Sequence, residues 1–174
     1  MASKAKNMIV NVFLKLIETE EYDKITVTHL VEECDISRQT FYYHFNDIDE
    51  MIAFAFSKET KSICDAQESN KWFDSALLYV DFLNKFDTLL RKAAASSSFL
   101  FVYGLLYKSF SDYINSYIQK RKKNTQSIGT DASFLTAGAA HAFCGLVIDE
   151  IQKEQSDYAT LLENIGKALN ALPK

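Results

Sequence analysis

An all-α fold is expected from three features of the sequence. One proline, Pro173, and five glycines leave almost nothing to interrupt helix between Ala2 and Leu172. Apolar residues recur at spacings of three and four along most of the chain, and Thr26, Ser37 and Asp47 stand just ahead of such runs, where a side-chain oxygen can cap a helix. The 174 residues suffice for a small N-terminal unit that shares one continuous helical body with a larger one.

The elements follow in order. Met8, Ile9, Val12, Phe13, Leu16 and Ile17 predict a first amphipathic helix from Lys4 to about Thr19. Residues 20–24 break the pattern, and Thr26 caps a short second helix carrying Val27, Leu30 and Val31. Asp35-Ile36 forms a tight connection. Ser37 then caps a third helix, Arg38 to Phe45, and two short helices joined this way are a helix-turn-helix. Asp47 with Glu50 three residues later has the form of a capping box, opening a long fourth helix through Ile63. A loop is expected over 67–71, and helix over 72–95 with Phe86-Asp87 as a candidate break. A helix capped by Ser96-Ser97-Ser98 should run to about Lys123, ahead of a loop at 124–130. Asp131 opens a long helix through Ile151, and Ser156 opens the last one, Tyr158 to Leu172. This divides the chain into a three-helix head with the helix-turn-helix, residues 1–46, and a helical C-terminal domain, residues 47–174.

Composition narrows the function classes. Hydrophobic residues make up 48% and aromatics 13%, a surplus that points to an internal pocket, a dimer face, or both. Cys34, Cys64 and Cys144 form no C-x-x-C pair, against a disulfide framework or a zinc site, so reduced buried thiols are expected. The start has no signal-peptide run and no stretch approaches the ~18 to 20 apolar residues of a membrane span, so a cytoplasmic protein is expected. No Gly-rich phosphate loop, nucleophile elbow or paired-carboxylate site supports an enzyme, and no cofactor is implied. The net charge of -4 counts against nucleic acid, and the first fifty residues hold only five Lys/Arg against ten Asp/Glu. Any DNA contact must therefore come from local placement.

The third helix offers that placement. At about 100° per residue, Phe41 and Phe45 share one face, which must be buried, and the opposite face presents Gln39 and Tyr43 flanked by Thr40 and Tyr42. Gln can pair with adenine, Thr can touch a thymine methyl, and Tyr hydroxyls and His44 can hold phosphates. Arg38 adds a cation able to reach a guanine edge or a phosphate. The competing reading is that Tyr42, Tyr43 and His44 only pack between helices.

The stretch from Ile25 to Phe45, ITVTHLVEECDISRQTFYYHF, strongly resembles the DNA-binding signature of the tetracycline-repressor (TetR) family, whose hallmark T-F-Y-x-H-F falls at Thr40 to Phe45. The resemblance covers roughly Met8 to Phe56, about a quarter of the chain. It implies a three-helix DNA-binding head, a variable helical domain for effector binding and dimerisation, and a homodimer whose two recognition helices enter successive major grooves of double-stranded DNA. Carried across by position, Thr26, Thr28, Arg38, Gln39, Thr40, Tyr42, Tyr43 and His44 are the DNA contacts. Two residues depart from the family pattern: Asp35 stands where it usually turns on glycine, and Ile48 where many members carry a phosphate-binding lysine. R-Q-T-F-Y-Y-H-F followed by an apolar residue at that lysine position resembles the branch containing the dihydroxyacetone-kinase activator DhaS.

Beyond the head, Phe73, Leu77, Val80, Phe99, Phe101, Tyr103, Leu106, Phe110 and Tyr113 could line a ligand cavity, Phe73, Phe101, Tyr103 and Phe110 above all. Plain helical core is the weightier reading for most of them. His141, Cys144 and Asp149 lack the further ligands a metal needs, and read as a satisfied buried pair with an acidic neighbour. Leu135, Ala139, Phe143 and Leu146, with Leu162, Ile165 and Leu169, are the candidate four-helix dimer interface. Lys120 to Lys123 is either a second nucleic-acid patch or a solvated helix end. The leading reading is a repressor that answers to a small-molecule effector and binds a palindromic operator as a homodimer; the narrower branch resemblance implies instead an activator governed by a regulatory protein, and the third alternative is a helical adaptor whose motif no longer binds DNA.

Overall fold

The computed structural model describes residues 2–67, 72–121 and 132–171, and every regular element among them is helical. The chain runs α1 (Ala2–Thr19), a 3₁₀ turn (Tyr22–Lys24), α2 (Val27–Glu33), α3 (Arg38–His44), α4 (Ile48–Ala66), α5 (Trp72–Ala94), α6 (Phe99–Arg121), α7 (Ala132–Ile151) and α8 (Tyr158–Ala171). The expected loop at 124–130, the opening at Asp131 and most of the loop at 67–71 lie outside the described residues.

Local chemistry accounts for the head. Ile9, Phe13 and Ile17 line the buried face of α1. Thr26 caps α2 by accepting from the His29 amide at 3.2 Å, and Ser37 caps α3 by accepting from the Thr40 amide at 3.0 Å. Between them the Asp35 amide donates to Glu32 and the Ile36 amide to Val31, closing α2 with the paired bonds of a Schellman motif. That motif needs a left-handed residue, and Asp35 supplies it at φ 52°. Asp47 caps α4 through the Glu50 amide at 2.7 Å, while the Glu50 carboxylate turns back onto the Asn46 amide at 2.7 Å.

One apolar core runs from Ile9 on α1 to Leu162 on α8, without a gap between head and body. In the body, α4 packs on α6, α6 on α7, and α5 lies between α1 and α8. Aromatic rings fill the centre. Phe110 stacks on Phe143 at 3.7 Å between centroids, and Tyr79 touches Phe82, Phe110, Tyr113 and Phe143. Buried hydroxyls are paired beside them, Thr60 with Ser109 at 2.6 Å and Tyr79 donating to Ser109 at 2.9 Å.

Two expectations about elements are corrected. α5 does not break at Phe86-Asp87, because Phe86 is buried and Asp87 accepts from Arg91 one turn on, a pair that supports helix. The last helix is capped by Asp157, which accepts from the Thr160 amide at 2.9 Å, whereas Ser156 turns away to donate to Asp87 at 2.7 Å.

The C-terminal turn of α5 ties head to body. Arg91 donates to the backbone carbonyls of Ile151 and Lys153, satisfying the end of α7, and also to the Ser156 hydroxyl. Its neighbour Lys92 donates to the carbonyls of Glu18 and Glu20 at the end of α1, at 3.2 and 2.8 Å. Ser97, just beyond, donates to Asp23 at 3.2 Å.

Candidate nucleic-acid interface

The recognition face rests on two buried rings. Phe41 and Phe45 are 0% and 2% exposed, packed on one another and, through Phe45, on Phe54 of α4. The opposite side of α3 is turned to solvent. Tyr43 is 80% exposed and Tyr42 55%, and Gln39, Thr40 and Arg38 are exposed with them. Neither tyrosine is packed between helices, so that competing reading fails; each leans its ring edge on a neighbour, Tyr42 on Phe41 and Tyr43 on the half-buried His44.

Hydrogen bonds distinguish the remaining site residues. Thr26 is exposed with its oxygen committed to capping α2, and Thr40 bonds its hydroxyl to Ser37 at 2.9 Å. Thr28 accepts from Arg38 at 2.8 Å, joining α2 to the start of α3. His29 lies beside it, 3.1 Å from the Glu20 carboxylate.

Charge on this face is sparse. Arg38 is the only Lys or Arg of α3. Lys24 is paired with Glu21 at 3.0 Å, and Lys6 lies over the Phe45 and Phe54 rings at 4.8 and 5.0 Å. The start of α4 is acidic, with Asp47, Asp49 and Glu50, and two amides at that end are already taken by Asp47 and Glu50. Partial burial, reinforced by Asp47, holds the Asp49 carboxyl above the usual range. Ile48 is half-buried, as an apolar residue at that position should be.

The residue set matches a known family. A model of bacterial regulatory proteins, tetR family, fits residues 9–53, the span from the first buried residue of α1 through the first turns of α4. The head of this chain is thus similar to that of bacterial regulatory proteins of the tetR family. The chain is similar to the HTH-type dhaKLM operon transcriptional activator DhaS of Lactococcus lactis subsp. lactis (strain IL1403), 22% identical over 153 residues, covering 87% of this chain and 81% of that protein. The solved structure of a dihydroxyacetone kinase operon activator DhaS shares the fold with a TM-score of 0.76 at 20% identity, over 96% of this chain and 94% of that one. Lin0861 from Listeria innocua, at TM-score 0.68 and 19% identity over 98% and 92%, shares it too. So does a TetR transcriptional regulator from Streptococcus agalactiae 2603V, at 0.62 and 15% over 97% and 94%. Among the described residues no helix is long and apolar enough to cross a membrane.

In the body the structure rearranges the candidate residues. Phe110 is 2% exposed and fills the core rather than lining a space; Phe101 and Tyr103 are half-buried, and the side chain of Phe73 lies outside the described residues. Tyr103 bonds His141 at 3.1 Å and Tyr107 packs on the same ring, so His141 is an exposed surface residue and not half of a buried pair with Cys144. Cys144 is fully buried, and burial pushes its thiol up to about 12. An open groove of about 220 Å³ lies instead between α4 and α5, over Ile63, Ala66, Leu78 and Phe82, with Lys85 bridging to Glu59 at 2.6 Å on its rim.

Of the dimer candidates, Ala139 and Leu146 are exposed and Ile165 half-buried, whereas Phe143 and Leu162 are 2% and 1% exposed in the chain's own core. Helical rotation explains the split, since Phe143 shares the inward face of α7 with Ala140, Cys144 and Val147. The side chains of Leu135 and Leu169 lie outside the described residues. Of the basic run, Lys120 is described, and it donates to the Cys64 and Gln67 carbonyls at the end of α4 at 2.6 and 2.8 Å. That bonding makes it a helix-end cap rather than part of a second DNA patch.

Proposed function

We propose that this chain is a DNA-binding transcriptional regulator of the TetR type that acts in the cytoplasm as a homodimer, with residues 1–46 as its DNA-binding head and 47–174 as the body, and that a protein partner governs it. The observation that carries the DNA reading is the polarity of α3: Phe41 and Phe45 sealed inside, Gln39 and Tyr43 open to solvent. Gln39, Tyr42 and Tyr43 reach into the major groove together with Arg38; Thr26, Thr40 and His44 flank them towards the phosphates. Two copies would meet through the outward side of α7, where Gly138, Ala139, Ala142, Gly145 and Leu146 allow close approach, together with Leu161 and Ile165 of α8.

Control by a protein partner is supported by the ring-filled centre of the body and by similarity to a protein described as an operon activator. A small-molecule-responsive repressor is the second reading, and the groove between α4 and α5 is what favours it.

Selection of bound duplexes from a randomised pool by the full-length chain tests the proposal. The expected product is a site with two related half-sites about one helical turn apart. Gln39→Ala with Tyr43→Ala should weaken binding to that site at least about ten-fold without moving the unfolding midpoint. If no duplex is enriched over the starting pool, the chain is an adaptor and the DNA reading falls.

A further inference from the structure

We propose that Thr28 is a positioning residue for Arg38, and that the two form one unit reading a guanine edge in the major groove. The inference rests on the DNA-binding reading and assigns Arg38 to a base rather than a phosphate, and Thr28 to holding it rather than to touching DNA on its own account.

Arg38 is the first residue of α3, and in a helix-turn-helix the N-terminal residues of the second helix lie against base edges. Its guanidinium sits on a long flexible stem in solvent, yet the Thr28 hydroxyl accepts from its Nη2 at 2.8 Å across the two helices. Such a bond narrows the directions in which the planar guanidinium can point relative to both helices. A phosphate oxygen, which can be approached from many directions, gains little from a fixed plane. The paired acceptors O6 and N7 of guanine gain much, because the two N–H vectors must arrive parallel. Four of the five guanidinium N–H groups remain for that purpose once Thr28 has taken one.

Thr28 is itself held in register. It lies in the first turn of α2, whose start is fixed by the Thr26 cap onto His29, and the His29 ring is anchored to Glu20. The remaining outward residues of α3, Gln39, Thr40, Tyr42 and Tyr43, are uncharged, and the α4 start is acidic. The one cation on the recognition face is therefore also the side chain that a neighbouring helix restrains.

The test takes the duplex selected by the full-length protein and all its single base-pair substitutions. Binding is measured across a salt series for the parent, Arg38→Ala, Thr28→Val and Thr28→Ser. Arg38→Ala should weaken the selected duplex ten- to a hundred-fold and abolish a G·C preference at one position in each half-site. Thr28→Val, which keeps the shape and loses the hydroxyl, should lower that same preference several-fold with an unchanged salt slope; Thr28→Ser should restore it. Melting curves of each variant exclude a folding defect. The proposal is overturned if Arg38→Ala weakens every duplex alike and makes the salt slope shallower by about one, the mark of a phosphate contact. It is equally overturned if Thr28→Val keeps the parent's base preference. Failure of the parent to select any duplex would instead remove the DNA-binding reading beneath it.

Discussion

Removing one hydroxyl, by Tyr158→Phe, measures how firmly α8 is attached to α5. Tyr158 is 1% exposed, and its phenol donates to the Asp87 carboxylate, which also accepts from Ser156 at 2.7 Å and from Arg91 at 2.7 Å. Burial opposes ionisation of Asp87, but the bonds from Tyr158, Ser156 and Arg91 outweigh it and hold the carboxyl below its ordinary range. A hydrogen bond to a charged acceptor contributes about 1.5–3 kcal/mol. The Asp87 side chain is 25% exposed and keeps two other donors, so the low end applies, about 1.5 kcal/mol. For a chain of this length that corresponds to a fall in melting temperature of roughly 3–6 °C. Asp87→Ala should cost more, about 3 kcal/mol, because it leaves the Tyr158 hydroxyl buried without its acceptor.

The sign with pH follows from the lowered value. The stabilisation is complete above the carboxylate's unfolded pKa of about 3.9 and is lost as the pH falls through its lower folded value. Thermal unfolding followed by circular dichroism, at fixed protein concentration and from neutral pH down to about 3, reads both effects. A Tyr158→Phe melt within about 0.5 kcal/mol of the parent would refute the reasoning, as would a double variant whose losses simply add.

Two further predictions concern the head. Asp35→Gly should stabilise the protein by about 0.5–1 kcal/mol, since φ 52° costs an L-residue more than glycine, whereas Asp35→Val should destabilise it by more than 1 kcal/mol; urea unfolding ranks the three. Phe41→Ala should cost about 3–5 kcal/mol by opening a cavity under α3, and duplex binding should disappear even where residual helicity by circular dichroism does not.

What the sequence made legible was local. Thr26, Ser37 and Asp47 act within three residues of themselves, so their caps, and with them the starts of α2, α3 and α4, could be read directly. The inward placement of Phe41 and Phe45 followed from period alone. Periodicity failed on an apolar helix: α7 is apolar almost all round, so nothing in its pattern separated Phe143, which is buried, from Leu146, which is not. The Phe86-Asp87 break was wrong because the partner that makes Asp87 acceptable there, Arg91, also holds carbonyls sixty residues away. Long-range bonds such as Lys92 to Glu18 and Glu20, or Arg38 to Thr28, leave no trace in spacing; only the geometry shows them.

Arg91 and Lys92 are adjacent in sequence, yet one grips the end of α7 and the other the end of α1. A side-chain pair on one rigid turn works as a tie-bar. Separating the end of α7 from the end of α1 along this edge would break one of those sets of bonds. The ends of α1 and α7, far apart in sequence, are thereby fastened to the same turn of α5.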